Sequence, residues 1–319
     1  MDCSVIIVSY NTRELLRTCL DSLRAHPSSF ASEIVVVDNG SSDGSADLVE
    51  QTYRDVRLIR NSANLGFAAA NNIGIRNSTG KYILLLNSDT EIPAKACDDV
   101  VRFLESQGGK GLAGCTLRNP DWSLQPSVRS FPSVINLISE SFFLYRIFPR
   151  SRLFGRYYMT DFDYSKPAQV DWVMGAFLMI HRGVFETIGL LDERFFMFGE
   201  EADLCYRARQ AGIATWFFSG ANLVHHWGGS SKNGYHRVLW TKGSQLLFFQ
   251  KHFAGPSRYA LYVLLMVGML LRVPLYLLQG IFFLKGESVL DAYYYFRALI
   301  TLPFHFVSGT IYPINAAQS

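Results

Sequence analysis

The chain has 319 residues and a formal net charge of +3. That length suits one large domain or one domain with an appendage, and so small a charge gives no reason to expect a nucleic-acid partner. Hydrophobic residues make up 49% and charged residues 18%, which is apolar for a water-soluble enzyme. Cys3, Cys19, Cys97, Cys115 and Cys205 are odd in number and lack CxxC spacing. They argue against a disulfide framework or a structural zinc site and fit a reducing compartment. No signal peptide is expected, because residues 5–8 read as a first strand with polar residues close behind.

Short β-type runs at residues 4–9, 33–37, 56–59, 82–86 and 112–117 alternate with helical patterns. Leu15, Leu16, Cys19, Leu20 and Leu23 recur at helical spacing. Residues 45–52, with Ser45 available as an N-cap, 67–75 and 94–104 give further helices. Such alternation predicts βαβ units and a mostly parallel sheet. No G-x-G-x-x-G follows the first strand, so the sheet is not a dinucleotide-binding one of the usual kind. Instead the strand ends carry Ser9-Tyr10-Asn11, Asp38-Asn39 and Asn87-Ser88-Asp89, and Asn64-Leu65-Gly66-Phe67 follows the third strand. Each cluster alone is also a good turn. In a parallel sheet all four share one edge, where open α/β sheets bind ligands. Asp89, after the apolar run 82–86, is a hard oxygen ligand suited to a divalent cation that also holds substrate phosphates.

Residues 118–170 interleave aromatics such as Trp122, Phe142, Phe148 and Tyr157 with Arg129, Arg146, Arg150, Arg152 and Arg156. That pattern fits an interfacial membrane segment, a loop over a sugar or lipid acceptor, or a helix with its aromatics turned inward. Residues 170–180 are apolar again. Glu200, Glu201 and Asp203 then precede or open a helix, behind the aromatic run 195–198. Acidic residues there serve as dipole partners, or, if buried, as a base with a raised pKa. Residues 215–218 and 221–224 read as two strands, followed by His225-His226-Trp227-Gly228-Gly229. A histidine at the end of an apolar strand is a candidate metal ligand.

The C-terminal region is apolar at residues 259–271, 273–284 and 298–307, interrupted by Arg272 and Pro274. The first two runs together are long enough to span a bilayer, but Arg272 falls in their middle. A span, an in-plane or re-entrant helix pair, and a hairpin packed on the enzyme all remain open. Tyr293, Tyr294 and Tyr295 beside Arg297 suit a membrane interface.

In this order, residues 5–11, 36–45, 64–68, 86–89, 175–178, 196–207 and 226–231 resemble the family 2 inverting glycosyltransferases of GT-A fold, nearest the rhamnosyltransferase-like branch of cell-surface polysaccharide synthesis. The resemblance covers roughly residues 4–231. It implies a GT-A domain at 1–255, with a nucleotide-sugar-binding half at 1–117 and an acceptor and catalytic half at 118–255. A membrane-associated helical region follows at 256–319. It implies that Ser9, Tyr10, Asn11, Asp38 and Asn39 border the donor's base and ribose, and that Asn64, Gly66, Phe67, Asn87 and Ser88 line the donor pocket. Asp89 would bind Mg²⁺ or Mn²⁺, although Asn87 stands where the family's DxD motif begins with Asp. His226 would be the second protein ligand or a diphosphate contact, with His225 as the fallback. The general base aligns with Glu201, where the family has Asp, and Glu200 and Asp203 are alternatives. Arg207 would orient this cluster or merely form a helix salt bridge, and Trp172 with Gly175 and Ala176 would border the acceptor. The implied reaction moves rhamnose from its deoxythymidine diphosphate form to a lipid-linked or cell-surface glycan, at the cytoplasmic face of the membrane. A synthase loading sugar onto polyprenyl phosphate, and a non-catalytic sugar-binding scaffold, are the competing readings.

Overall fold

The computed structural model describes residues 2–226 and 234–308. In chain order the elements are β1 (Cys3–Ser9), α1 (Arg13–Ala25), β2 (Ser32–Asp38), α2 (Ser45–Thr52), β3 (Arg57–Arg60), α3 (Phe67–Arg76), β4 (Tyr82–Asn87), β5 (Thr90–Glu91), α4 (Ala96–Ser106) and β6 (Leu112–Arg118). They continue with β7 (Leu124–Gln125), β8 (Val128–Arg129), α5 (Val134–Ser141), α6 (Leu144–Ile147), β9 (Ala168–Val170), β10 (Trp172–Val173), β11 (Phe177–His181), α7 (Arg182–Ile188), α8 (Glu200–Gln210) and β12 (Thr215–His225). The last three are α9 (Gly234–His252), α10 (Pro256–Phe283) and α11 (Gly286–Ser308).

The chain divides into two compact units. The first comprises Met1–Ser130, Phe162–Glu193 and Glu200–Ser230. It is a mixed, mostly parallel α/β sheet flanked by helices, in the order β3-β2-β1-β4-β11-β6-β12-β5. β1, β2, β3 and β4 run parallel, as do β6 and β12. Ile6, Ile7, Val35, Val36, Ile83 and Leu84 are all buried, as strands covered on both faces require. Two features differ from the expected pattern. β11 runs antiparallel between β4 and β6. The two strands expected at 215–218 and 221–224 are one strand, β12, whose pairing with β6 shifts between Phe218 and Asn222. An irregularity at Ser219, Gly220 and Ala221 absorbs the extra residues without ending the ladder.

The second unit comprises Phe131–Asp161, Arg194–Gly199 and Ser231–Ser319. Its described part is helical, built from α5, α6, α9, α10 and α11. Residues 131–161 and α9 group with the C-terminal helices, because Glu140 on α5 holds both Lys242 of α9 and Arg272 of α10.

Candidate active site

The parallel register sets the site. Ser9 of β1 lies opposite Asp38 of β2, and Val8 lies opposite Asn87 of β4. The carboxyl ends of three strands thus finish level at one edge. Ser9 and Thr12 share a hydrogen bond of 3.0 Å between hydroxyls, and Thr12 and Ser88 share another of 2.9 Å. All three are buried, so Ser9 and Ser88 tie strand ends together. Asn11 adopts a left-handed backbone (φ 52°) and accepts the Ser42 N–H at 2.8 Å. Tyr10 is half-buried.

Asp38 is 3% exposed; its Oδ2 accepts the Ser41 N–H at 3.0 Å, while its Oδ1 has no hydrogen-bond partner among the described residues. Buried acceptors are rarely left unmatched, and this one suits a hydroxyl or N–H of a bound nucleotide. Asn39 is saturated by contrast. Its Nδ2 donates to Asn64 Oδ1 (2.8 Å) and Gly66 O (3.2 Å), and its Oδ1 accepts from Asn61 Nδ2 and Leu65 N. Asn39 and Asn64 therefore shape the loop that leads through Gly66 to Phe67 at the start of α3. Gly40 permits this loop to approach: its φ is +81°, and a Cβ there would lie 2.8 Å from the Ala63 carbonyl carbon.

The second corner is formed by Asn87, Asp89 and the end of β12. β12 pairs antiparallel with β5, setting His225 opposite Thr90. His225 Nε2 then lies 3.3 Å from Asp89 Oδ1 and 3.4 Å from Asn87 Nδ2. His226, the residue expected in that role, has its ring on Glu91, and its N–H donates to Asp89 O at 2.8 Å. The structure thus brings His225 to Asp89. The rest of that motif, residues 227–231, lies outside the described residues.

The tautomer of His225 follows from its other nitrogen. Gln125 Nε2 contacts two acceptors, Asn119 Oδ1 (2.9 Å) and the His225 carbonyl (3.4 Å), so that end is the amide NH₂. Gln125 Oε1 therefore faces His225 Nδ1, 2.7 Å away, and Nδ1 must carry the proton. In the neutral ring the Nε2 lone pair points at Asn87 and Asp89. A lone-pair nitrogen and a carboxylate oxygen 3.3 Å apart fit a shared divalent cation. Among the described residues no group of three or more His, Cys, Asp or Glu could hold a metal. Two protein ligands suit an ion that also binds substrate phosphates.

The third corner is acidic. The Asn87 N–H donates to Ala176 O at 3.1 Å, placing the start of β11 beside the end of β4. A Cβ on Gly175 would lie 3.9 Å from the Glu201 carboxyl carbon, so Glu201 stands next to Gly175. Glu200 is 4% exposed, and its Oε2 has no hydrogen-bond partner among the described residues. Burial, with Glu201 nearby, pushes its carboxyl well above the ordinary range. Asp203 is fully buried and ion-paired to Arg207 Nε at 2.9 Å. Arg207 also donates to the carbonyls of Ile188 (2.6 Å) and Leu190 (2.8 Å). This pair anchors α8 to the turn after α7. Trp172 is buried and donates to Ser130 O at 2.9 Å, which makes it a strut.

Thr12, Asn72 and Gln125 escaped sequence reasoning. Asn72 exchanges hydrogen bonds with the Leu191 backbone and donates to Glu193, fixing the segment that leads toward α8. None of the three lies in a recognisable motif, and each has a partner far away in sequence: Ser88, Leu191 and His225 respectively.

A family model described as glycosyl transferase family 2 matches residues 4–189, more than half of the chain. The chain belongs to this family of glycosyltransferases. A curated relative, the N-acetylglucosaminyl-diphospho-decaprenol L-rhamnosyltransferase of Mycobacterium tuberculosis, is 30% identical over 237 residues, covering 70% of this chain and 75% of the relative. Rhamnosyltransferase WbbL of Escherichia coli is 26% identical, with coverages of 70% and 82%. Among solved structures, GalNAc-T7 with UDP, GalNAc and Mn²⁺ aligns at a TM-score of 0.55 and 17% identity, over 73% of this chain and 44% of that one. Staphylococcus aureus TarS aligns at 0.52 and 14% identity, over 81% of this chain and 41% of that one. The chain spans less than half of these two proteins, and the likeness is one of GT-A fold. Glu200, Glu201 and His225 lie beyond the segment matched by the family model.

Proposed function

We propose that this glycosyltransferase moves rhamnose from a deoxythymidine diphosphate donor to a lipid-linked or cell-surface glycan, inverting the anomeric configuration in one displacement. The carrying observation is the convergence at one sheet edge of Asp38 Oδ1, the Asp89–His225 pair and Glu201. Asp38 Oδ1 would receive a donor hydroxyl or N–H. Asp89 and His225 would hold Mg²⁺ or Mn²⁺; either ion, when bound, supplies positive charge for the departing diphosphate. Glu201 would take the acceptor proton, because burial raises the Glu200 pKa and disfavours its charged form. The rhamnosyltransferase relatives support the choice of sugar. The name of the mycobacterial relative and the apolar helix α10 support a lipid-linked acceptor and work at a membrane, whose cytoplasmic face is the side we propose.

The test is a donor panel of deoxythymidine, uridine and guanosine diphosphate sugars, with membrane lipid extract as acceptor. Nucleoside diphosphate release from one donor, abolished by EDTA and by Asp89→Ala, is the expected result. Undiminished turnover in Asp89→Ala would remove the metal assignment. Saturable nucleotide binding without release from any donor would remove the catalytic reading.

A further inference from the structure

α10 is the one helix among the described residues long and apolar enough to cross a membrane. At 28 residues it would reach about 42 Å. Its two faces differ. Leu261, Leu265, Gly268, Met269 and Arg272 are buried, whereas Val263, Val267, Leu270, Leu278, Ile281 and Phe282 are exposed.

Arg272, near the middle of α10, is fully engaged on the inner face. It donates to Gly268 O (2.8 Å) and Glu140 O (2.7 Å), and its guanidinium lies 4.8 Å from the Phe143 ring centre. The Glu140 carboxylate pairs with Lys242 and accepts from Gln245 Nε2 at 2.9 Å. A crossing α10 would therefore carry Arg272, Glu140, Lys242 and Gln245 to the bilayer midplane together. It would also carry α5, α9 and α11, none of which is apolar enough to follow. Intramembrane charges are tolerated at a water-filled or functional path; this cluster is buried in protein.

Residues 131–161 supply the complementary charge. Arg146, Arg150, Arg152 and Arg156 are exposed there, alternating with exposed Ile147, Phe148 and Leu153. The acids of that segment are Glu140, already paired, and Asp161. The segment packs on α10 through α5, where the Ser141 hydroxyl donates to Leu264 O at 3.4 Å. Arg258 covers the Tyr259 ring at 4.9 Å at the start of α10. Aromatic rings paired with arginines are interfacial anchors.

We infer that the outer face of α10 and the arginine-rich segment 131–161 lie in the plane of one leaflet of an anionic bilayer, without crossing it. The occupant is lipid because the apolar face is joined to exposed arginines, which suit acidic headgroups. This inference sharpens the membrane association proposed above and is independent of the donor sugar.

The test uses the full chain and vesicles of phosphatidylcholine with and without phosphatidylglycerol. Binding should require phosphatidylglycerol. It should weaken by roughly fivefold for each of Arg146→Gln, Arg150→Gln, Arg152→Gln and Arg156→Gln. For depth, Leu270→Cys carries a fluorophore, quenched by lipids brominated at different positions. Cys3, Cys19, Cys115 and Cys205 are buried, and burial pushes their thiols up to about 12; the partly exposed Cys97 is replaced by Ser in the labelled protein. Shallow quenching is expected. Quenching strongest at the bilayer centre would show a span and overturn the inference. So would binding indifferent to phosphatidylglycerol, or a lipid-free dimer that hides the label and ignores vesicles. Vesicle binding needs no sugar nucleotide, so a protein that binds but never turns over would refute the enzymatic reading alone.

Discussion

At the scale of single residues, neighbouring glutamates receive opposite treatment. Glu200 is enclosed, with an unmatched oxygen, and burial raises its carboxyl pKa. Glu201 is half-buried beside Gly175. Glu201→Gln should therefore lower kcat by about 10²–10⁴ while leaving donor KM near its original value. Glu200→Gln should cost much less, because an amide copies the neutral acid; steady-state kinetics on both variants checks this. Gln125 invites a measurement without turnover. Gln125→Leu removes the acceptor that keeps the proton on His225 Nδ1, and Mn²⁺ affinity should fall by about 10–100-fold. Titration of free Mn²⁺ by electron paramagnetic resonance, without donor, reads that loss. The positions of Asp38, Asp89 and the acidic run were legible because they stand at the ends of apolar runs. The choice between His225 and His226 was not, because it depends on the antiparallel register of β12 on β5.

Among elements, α5 and α10 approach each other closely at Gly268. A Cβ on Gly268 would meet Ser141 Oγ at 2.3 Å and the Ser141 Cα at 3.1 Å. Gly268→Ala must push the helices apart and should cost about 1–3 kcal/mol, seen as a lower Tm and earlier urea unfolding. The same substitution at Gly212, which has open space but a φ of +74°, would act through backbone strain alone. The first four strands were readable from β-type runs set between helical patterns. β11 was not, because an apolar run shows burial but not direction. Ser219-Gly220 looked like a break, since the residues of a bulge are also those of a turn.

For the whole molecule, the charge network of the helical unit controls its response to acid. Burial alone would raise the Glu140 pKa, but Lys242 and Arg272 outweigh it and hold the carboxyl below its ordinary 4.5. A depressed carboxylate stabilises the fold fully above its unfolded value and loses that contribution as pH falls through the folded one. Thermal stability should accordingly drop below about pH 4.5, and Glu140→Gln should flatten that drop. Glu140→Leu should cost about 3–5 kcal/mol at neutral pH, because it takes the carboxylate from buried Lys242 and from Arg272, 3.7 Å away; chemical denaturation measures it. The sequence pointed to an appendage beginning near residue 256. It could not show that residues 131–161 join it, since that grouping rests on Glu140 meeting partners more than 100 positions away.

The settled position of Arg272 also bears on how the protein is made. Its guanidinium reaches Glu140 only after α5 and α10 have come together, so the helix is not ready for a lipid environment as it leaves the ribosome. A chain of this kind should complete its folding in water and then settle on a membrane. Its synthesis would not call on the insertion machinery, and newly made protein should pass through a soluble pool before it is recovered with lipid.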